Sequence, residues 1–127
     1  MLLLDTDVMI DILRGHPPAV AWLGTVPTEV VALPGYVAME LIQGCRDQQE
    51  QRELLIELQR YTVLWPQPEV CDRALDLYTR FYLSHGLGLL DSRIGQLALA
   101  LGLPLYTFNE KHYRAIPGLQ LSQPYVR

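Results

Sequence analysis

Short apolar runs alternate with stretches of helical spacing along the whole chain, and this alternation restricts the fold more than any other feature. Leu2 to Asp5, Val30 to Leu33, Val63 to Trp65, Leu105 to Thr107 and, more weakly, Leu119 to Leu121 read as strands. Between them, Val8 to Leu13, Val20 to Leu23, Tyr36 to about Cys45, Gln48 to Tyr61, Glu69 to His85 and Asp91 to Leu101 read as helices. The longest carries the stripe Val70, Ala74, Leu77, Tyr78, Phe81 and Tyr82. The last carries Ile94, Leu97, Ala98 and Leu101. Gly15 with Pro17 and Pro18 stops the first helix, and Gly86 and Gly102 end the two long ones. Strands alternating with helices imply βαβ units, an α/β fold whose mostly parallel sheet is covered on both faces. Ligands of such sheets sit at the carboxyl ends of the strands.

The length of 127 residues suits one domain, 1–127. Half of the residues are hydrophobic and 19% are charged, which excludes a disordered chain. The net charge of -4 argues against a protein that grips nucleic acid non-specifically through a basic face. It is compatible with an enzyme whose acids are clustered to hold cations, since a bound cation reverses the local sign. Cys45 and Cys71 fall on apolar helix faces and read as buried, reduced thiols, and no Cys/His cluster suggests zinc. Met1 leads directly into Leu2, Leu3 and Leu4, too short for a signal peptide, and no apolar run approaches a membrane span. The expectation is a cytoplasmic protein with no membrane partner.

Three acids stand where such a fold places chemistry. Asp5 ends the first strand, where it reads equally as a turn residue or helix cap. Glu40 interrupts an apolar helix, with Gly44 one turn on; alone it reads as part of a solvated face. Asp91 opens the stripe Ile94, Ala98, Leu101, as an N-cap or as a partly desolvated carboxylate that needs a positive neighbour. Lys111 is the one lysine, and no Lys or Arg nearby in sequence is an obvious partner for all three. A divalent cation would relieve their repulsion; Mg²⁺ prefers oxygen ligands and takes one or two carboxylates directly.

The segments carrying these acids resemble the PIN-domain family. LLLDTDVMIDILRG resembles the family's opening, VAMELIQG its second segment, and LLDSRIGQLALALGLPLYTFNEKHY its third, with IPGLQLSQPYVR trailing. They occur in the family's order, at a length typical of VapC-type toxins. The resemblance implies a three-layer α/β/α sandwich and a metal-dependent endoribonuclease acting as the toxin of a toxin–antitoxin pair. It implies Mg²⁺ or Mn²⁺ held by Asp5 and Asp91, with Glu40 as third acid, a ligand or an orienter of water. Thr6 and Thr107 match small hydroxyl positions near the family's site. Its implied partners are a cognate antitoxin, RNA and a second copy of the chain. The family commonly places a fourth acid after the fourth strand; here Asn109 and His112 stand there, and Asn109 can offer a carbonyl oxygen. His112 reads as a loop residue packed beside Tyr113. His16 and His85 read as surface residues, Asp7 and Asp11 as ordinary helix acids, and Arg14 and Arg93 as solvated.

Three other readings compete. A PIN-like domain without catalysis, serving as a binding module, is kept open by Asn109 and His112. LLLDTDV also resembles the first motif of haloacid-dehalogenase-like phosphatases, but that family needs a later lysine and a paired-acid motif, whereas here the only lysine, Lys111, lies in the last loop and no adjacent acid pair exists. A receiver-like module would need an Asp after the third strand, where Pro66 stands.

Overall fold

The computed structural model describes residues 1–127. A parallel sheet of five strands is built from β1 (Leu2–Leu4), β2 (Val31–Pro34), β3 (Thr62–Leu64), β4 (Leu105–Tyr106) and β5 (Leu121–Ser122), in the order β3-β2-β1-β4-β5. The helices are α1 (Thr6–Leu13), α2 (Pro17–Leu23), α3 (Gly35–Gln43), α4 (Gln48–Leu58), α5 (Pro68–His85), α6 (Leu89–Leu101) and α7 (Glu110–Tyr113). Right-handed crossovers in this strand order put α1–α4 on one face and α5–α7 on the other. The result is the expected α/β/α sandwich. The sheet is fully parallel rather than mostly so.

The apolar runs form strands because they are buried on both sides: Leu3, Leu4, Val31, Ala32, Leu33 and Leu105 are sealed from solvent. Val8, Val37, Leu41 and Leu54 close one face, and Ile94, Ala98, Leu77 and Ile116 belong to the same continuous core. Gly86 and Gly102 end α5 and α6 at φ 67° and 64°, a left-handed cap that disfavours side chains with a Cβ.

Several expectations need correction. Pro17 and Pro18 do not merely stop α1; they begin α2, whose first turn needs no N–H from them. Cys71 is exposed and Cys45 is half-buried just beyond α3; both are free thiols, but neither is sealed in the core. Gly44 is the C-cap of α3, and a Cβ there would meet only that helix's own carbonyls, so nothing approaches it closely. The segment after β4, read as a loop, contains the single turn α7. No helix is long and apolar enough to cross a membrane.

Candidate active site

The strand order reverses between β1 and β4. Chain connections run outward from β1 through β2 to β3, then return across β1 to β4. The crevice at the carboxyl ends of these two strands is therefore the switch point at which ligands of open parallel sheets bind. Asp5 follows β1 and Thr107 follows β4. Their side chains meet there, the Thr107 hydroxyl donating to Asp5 Oδ2 at 2.9 Å.

Asp5 is 5% exposed. It caps α1, its Oδ1 accepting from the Thr6 N–H at 2.8 Å. Burial, then the charge of Asp7, push its carboxyl up to about 6, against the lowering effect of its hydrogen bonds. Asp7, one residue into α1, reaches the same place. Its Oδ2 accepts from the Phe108 N–H at 2.8 Å and, more loosely, from Thr107 Oγ1 at 3.4 Å. Burial raises its pKa as well. Two neighbouring carboxylates thus stand in a poorly solvated crevice, and no lysine or arginine forms an ion pair with either.

Glu40 comes from α3 and joins the group through Thr6, whose hydroxyl donates to Glu40 Oε1 at 2.6 Å. Asp91 lies in the first turn of α6. Gly88 caps that helix, so Asp91 is not the N-cap. A Cβ on Gly88 would lie 2.6 Å from Asp91 Oδ2, so the missing side chain leaves room for that carboxylate. Asp91 faces His112, whose Nδ1 is 3.6 Å from Oδ2. Asn109 is exposed and its side chain reaches none of the acids. Its contribution is a backbone N–H donated to Thr107 Oγ1 at 2.9 Å. Lys111 is exposed and forms no ion pair.

Sequence reasoning passed over two members. In sequence Asp7 reads as an ordinary first-turn acid. Its role depends on Phe108, 101 residues away in sequence. Tyr113, the last residue of α7, is completely buried, and its hydroxyl makes no hydrogen bond of ordinary geometry. Burial, then the charges of Asp5 and Asp91, a loose hydrogen-bonding interaction with Asp5 and the charge of Asp7 push its pKa far upward, so it stays a neutral donor and all three acids lie within electrostatic reach of one hydroxyl. The spacing from Thr107 to Tyr113 was the available signal, but nothing local shows that this ring turns inward.

The donor set suits a hard divalent cation. No three His, Cys, Asp or Glu side chains converge into a ready cage. Mg²⁺ does not need one, because it keeps several waters and binds proteins through one or two carboxylates. Buried acids without a cationic partner, beside an unpartnered hydroxyl, are the arrangement such an ion would complete.

Comparison with known proteins agrees with the fold. The PIN domain family pattern matches residues 2–117. Ribonuclease VapC19 of Mycobacterium tuberculosis is 29% identical over 127 residues, covering 94% of this chain and 98% of that protein. A toxin–antitoxin complex from Klebsiella pneumoniae superposes with a TM-score of 0.81 at 24% identity over 100% of both chains. VapBC-1 from nontypeable Haemophilus influenzae does so with a TM-score of 0.78 at 25% identity over 96% of each. The match spans nearly the whole chain and its fold is that of the superposed structures: this chain belongs to the PIN-domain family.

Proposed function

We propose that the chain is a Mg²⁺- or Mn²⁺-dependent endoribonuclease and the toxin of a toxin–antitoxin pair. The observation that carries the reading is Asp5: a buried carboxylate at the sheet's switch point, beside a second acid and paired with no cation. Its likeness to a ribonuclease and to two toxin–antitoxin complexes supplies the substrate class and the biological setting. Asp5 and Asp91 would hold the ion. When bound, it supplies charge to stabilise a phosphodiester undergoing attack and lowers the pKa of water beside it. Thr107 and Thr6 fix the orientation of Asp5 and Glu40. Glu40, tied to Thr6 at the rim, is suited to orienting water rather than binding the ion.

The antitoxin has a fitting place on the α1–α4 face. A groove of 840 Å³ runs there, with Ile10, Leu41 and Leu54 among its apolar lining and Glu50, Glu53 and Glu57 among its acids. It suits a helix with an apolar face and basic flanks, followed by an extended basic tail whose Arg or Lys occupies the carboxylate crevice. α4, expected from sequence to be such a surface, lines this groove. A second copy of the chain is the other proposed partner, tested by sedimentation. The setting is the cytoplasm, where RNA is available.

Cleavage of RNA by the purified chain with Mg²⁺ or Mn²⁺, its loss with chelator, and its loss in Asp5→Asn and Asp91→Asn test the proposal. Expression of the chain should arrest growth of a bacterial host, and Asp5→Asn should abolish that arrest. Full nuclease activity in either variant refutes the assigned site. Unimpaired growth with soluble wild-type chain present refutes the toxin role.

A further inference from the structure

The Tyr113 hydroxyl is the one buried polar group at the site that the proposed chemistry leaves unused. Its ring packs beside α6 at Gly95. A Cβ there would collide with Ile116 and come into ordinary contact with Tyr113 Cδ1 at 3.6 Å. The ring alone would satisfy that packing, and a phenylalanine would fill the same volume. The hydroxyl adds a donor that is fully buried and lacks a well-formed hydrogen bond, an arrangement that costs stability unless something uses it.

The acceptor within reach is Asp5, with which the hydroxyl makes only a loose interaction. A carboxylate offers about four lone-pair positions. On Asp5, Thr6 N–H takes one on Oδ1 and Thr107 Oγ1 takes one on Oδ2, so positions for a cation and for one further donor remain. Thr107 is itself tied to Asn109 N–H and to Asp7, so it holds Asp5 from the β4 side only. Tyr113 approaches from α7. We propose that Tyr113 is a positioning residue: its hydroxyl donates to the Asp5 carboxylate when a divalent cation binds, holding Asp5 opposite Thr107 in the orientation the ion requires. This rests on Asp5 being a metal ligand. Partners that orient metal ligands this way are worth tenfold or more in affinity.

The test is Tyr113→Phe, which keeps the ring and removes the donor. Mn²⁺ affinity is measured by electron paramagnetic resonance of free Mn²⁺, alongside thermal melting of the metal-free chain. Asp5→Asn serves as the no-site control. The expected result is an approximately tenfold weaker Mn²⁺ affinity in Tyr113→Phe, with a metal-free Tm equal to or above that of wild type. A purely structural hydroxyl would do the reverse: a Tm lower by several degrees, or a variant unfolded at the assay temperature, overturns the proposal. So does a Mn²⁺ affinity within twofold of wild type. Failure of the wild-type chain to bind Mn²⁺ overturns the metal-site reading and this inference together, whereas wild-type binding left unchanged in Tyr113→Phe overturns this inference alone.

Discussion

Asp5 has two duties that pull its charge in opposite directions. As the cap of α1 it gains from being ionised; buried beside Asp7 it is pushed up to about 6, against an ordinary value of 3.8. Between those values the folded chain holds a proton that the unfolded chain has released. Stability from this group is therefore fully present below about pH 4 and is lost as pH rises through 6. A shift of about two units corresponds to roughly 3 kcal/mol lost from the metal-free chain at neutral pH. Asn is as good a cap and cannot ionise. Metal-free Asp5→Asn should melt roughly 10 °C above wild type at pH 7.5, and the difference should close by pH 4. Mg²⁺ should raise the wild-type Tm and leave that of the variant unchanged. Calorimetry showing equal metal-free melting at pH 7.5 refutes this account of Asp5. The acids that end strands or open helices were legible one by one, because the strand-end rule needs only local sequence. Asp7 and Tyr113 were not, because what defines each is a partner on another element: Phe108 N–H for Asp7, the buried carboxylates for Tyr113.

Element by element, hydrophobic spacing located the strands and the six longer helices to within a few residues, most firmly β1 and β2, whose burial on both faces leaves continuous apolar runs, and least firmly the partly open edge strand β5, which shares only Leu121 with its expected range. What it missed is short or depends on context. The single turn of α7 is too brief to show a period, and the prolines opening α2 act as stops or starts depending on the turn they enter. That α4 is polar outside a narrow stripe was visible; that it forms one wall of a groove with α1 and α3 was not, because the wall needs all three helices. The groove yields a prediction of its own. Glu53 is exposed and Glu57 lies partly open beside it on α4, so lysine at both positions reverses the rim's sign without touching the core or the carboxylate crevice. Glu53→Lys with Glu57→Lys should weaken antitoxin binding at least tenfold while free-chain RNA cleavage is retained. Isothermal titration with the cognate antitoxin checks it, and unchanged affinity would place the partner elsewhere.

At the scale of the whole molecule, the strand order was beyond local reading. Nothing in Leu2–Leu4 says that it lies at the centre of the sheet, yet that position alone brings residue 5 against residue 107. The chain's end is drawn into the same assembly. Arg127 donates to Asp11 through Nε at 2.9 Å, the Tyr125 hydroxyl donates to Asp11 Oδ2 at 2.8 Å, and the guanidinium lies 4.7 Å from the centre of the Phe108 ring. The hydrogen bond from Arg127 leads the effects that hold the Asp11 carboxyl below its ordinary range. Its linkage has the opposite sign to that of Asp5. The Asp11 contribution is present above about pH 4 and is lost as pH falls through the depressed value, whereas the Asp5 contribution is gained as pH falls from 6 to 4. The two trends cross, so metal-free Tm should rise on acidification from pH 7.5, peak between about pH 4 and 5, and fall below that. Two variants separate the limbs. Asp5→Asn should flatten the neutral limb and keep the acid one. Arg127→Ala, which removes a half-exposed partner, should cost about 1 kcal/mol or less at neutral pH. That cost should shrink toward zero near pH 2, where Asp11 is protonated with or without its arginine. A Tm that climbs steadily from pH 4 to 7.5 in the metal-free wild type would show that the buried carboxylates at the switch point do not carry the strain assigned to them.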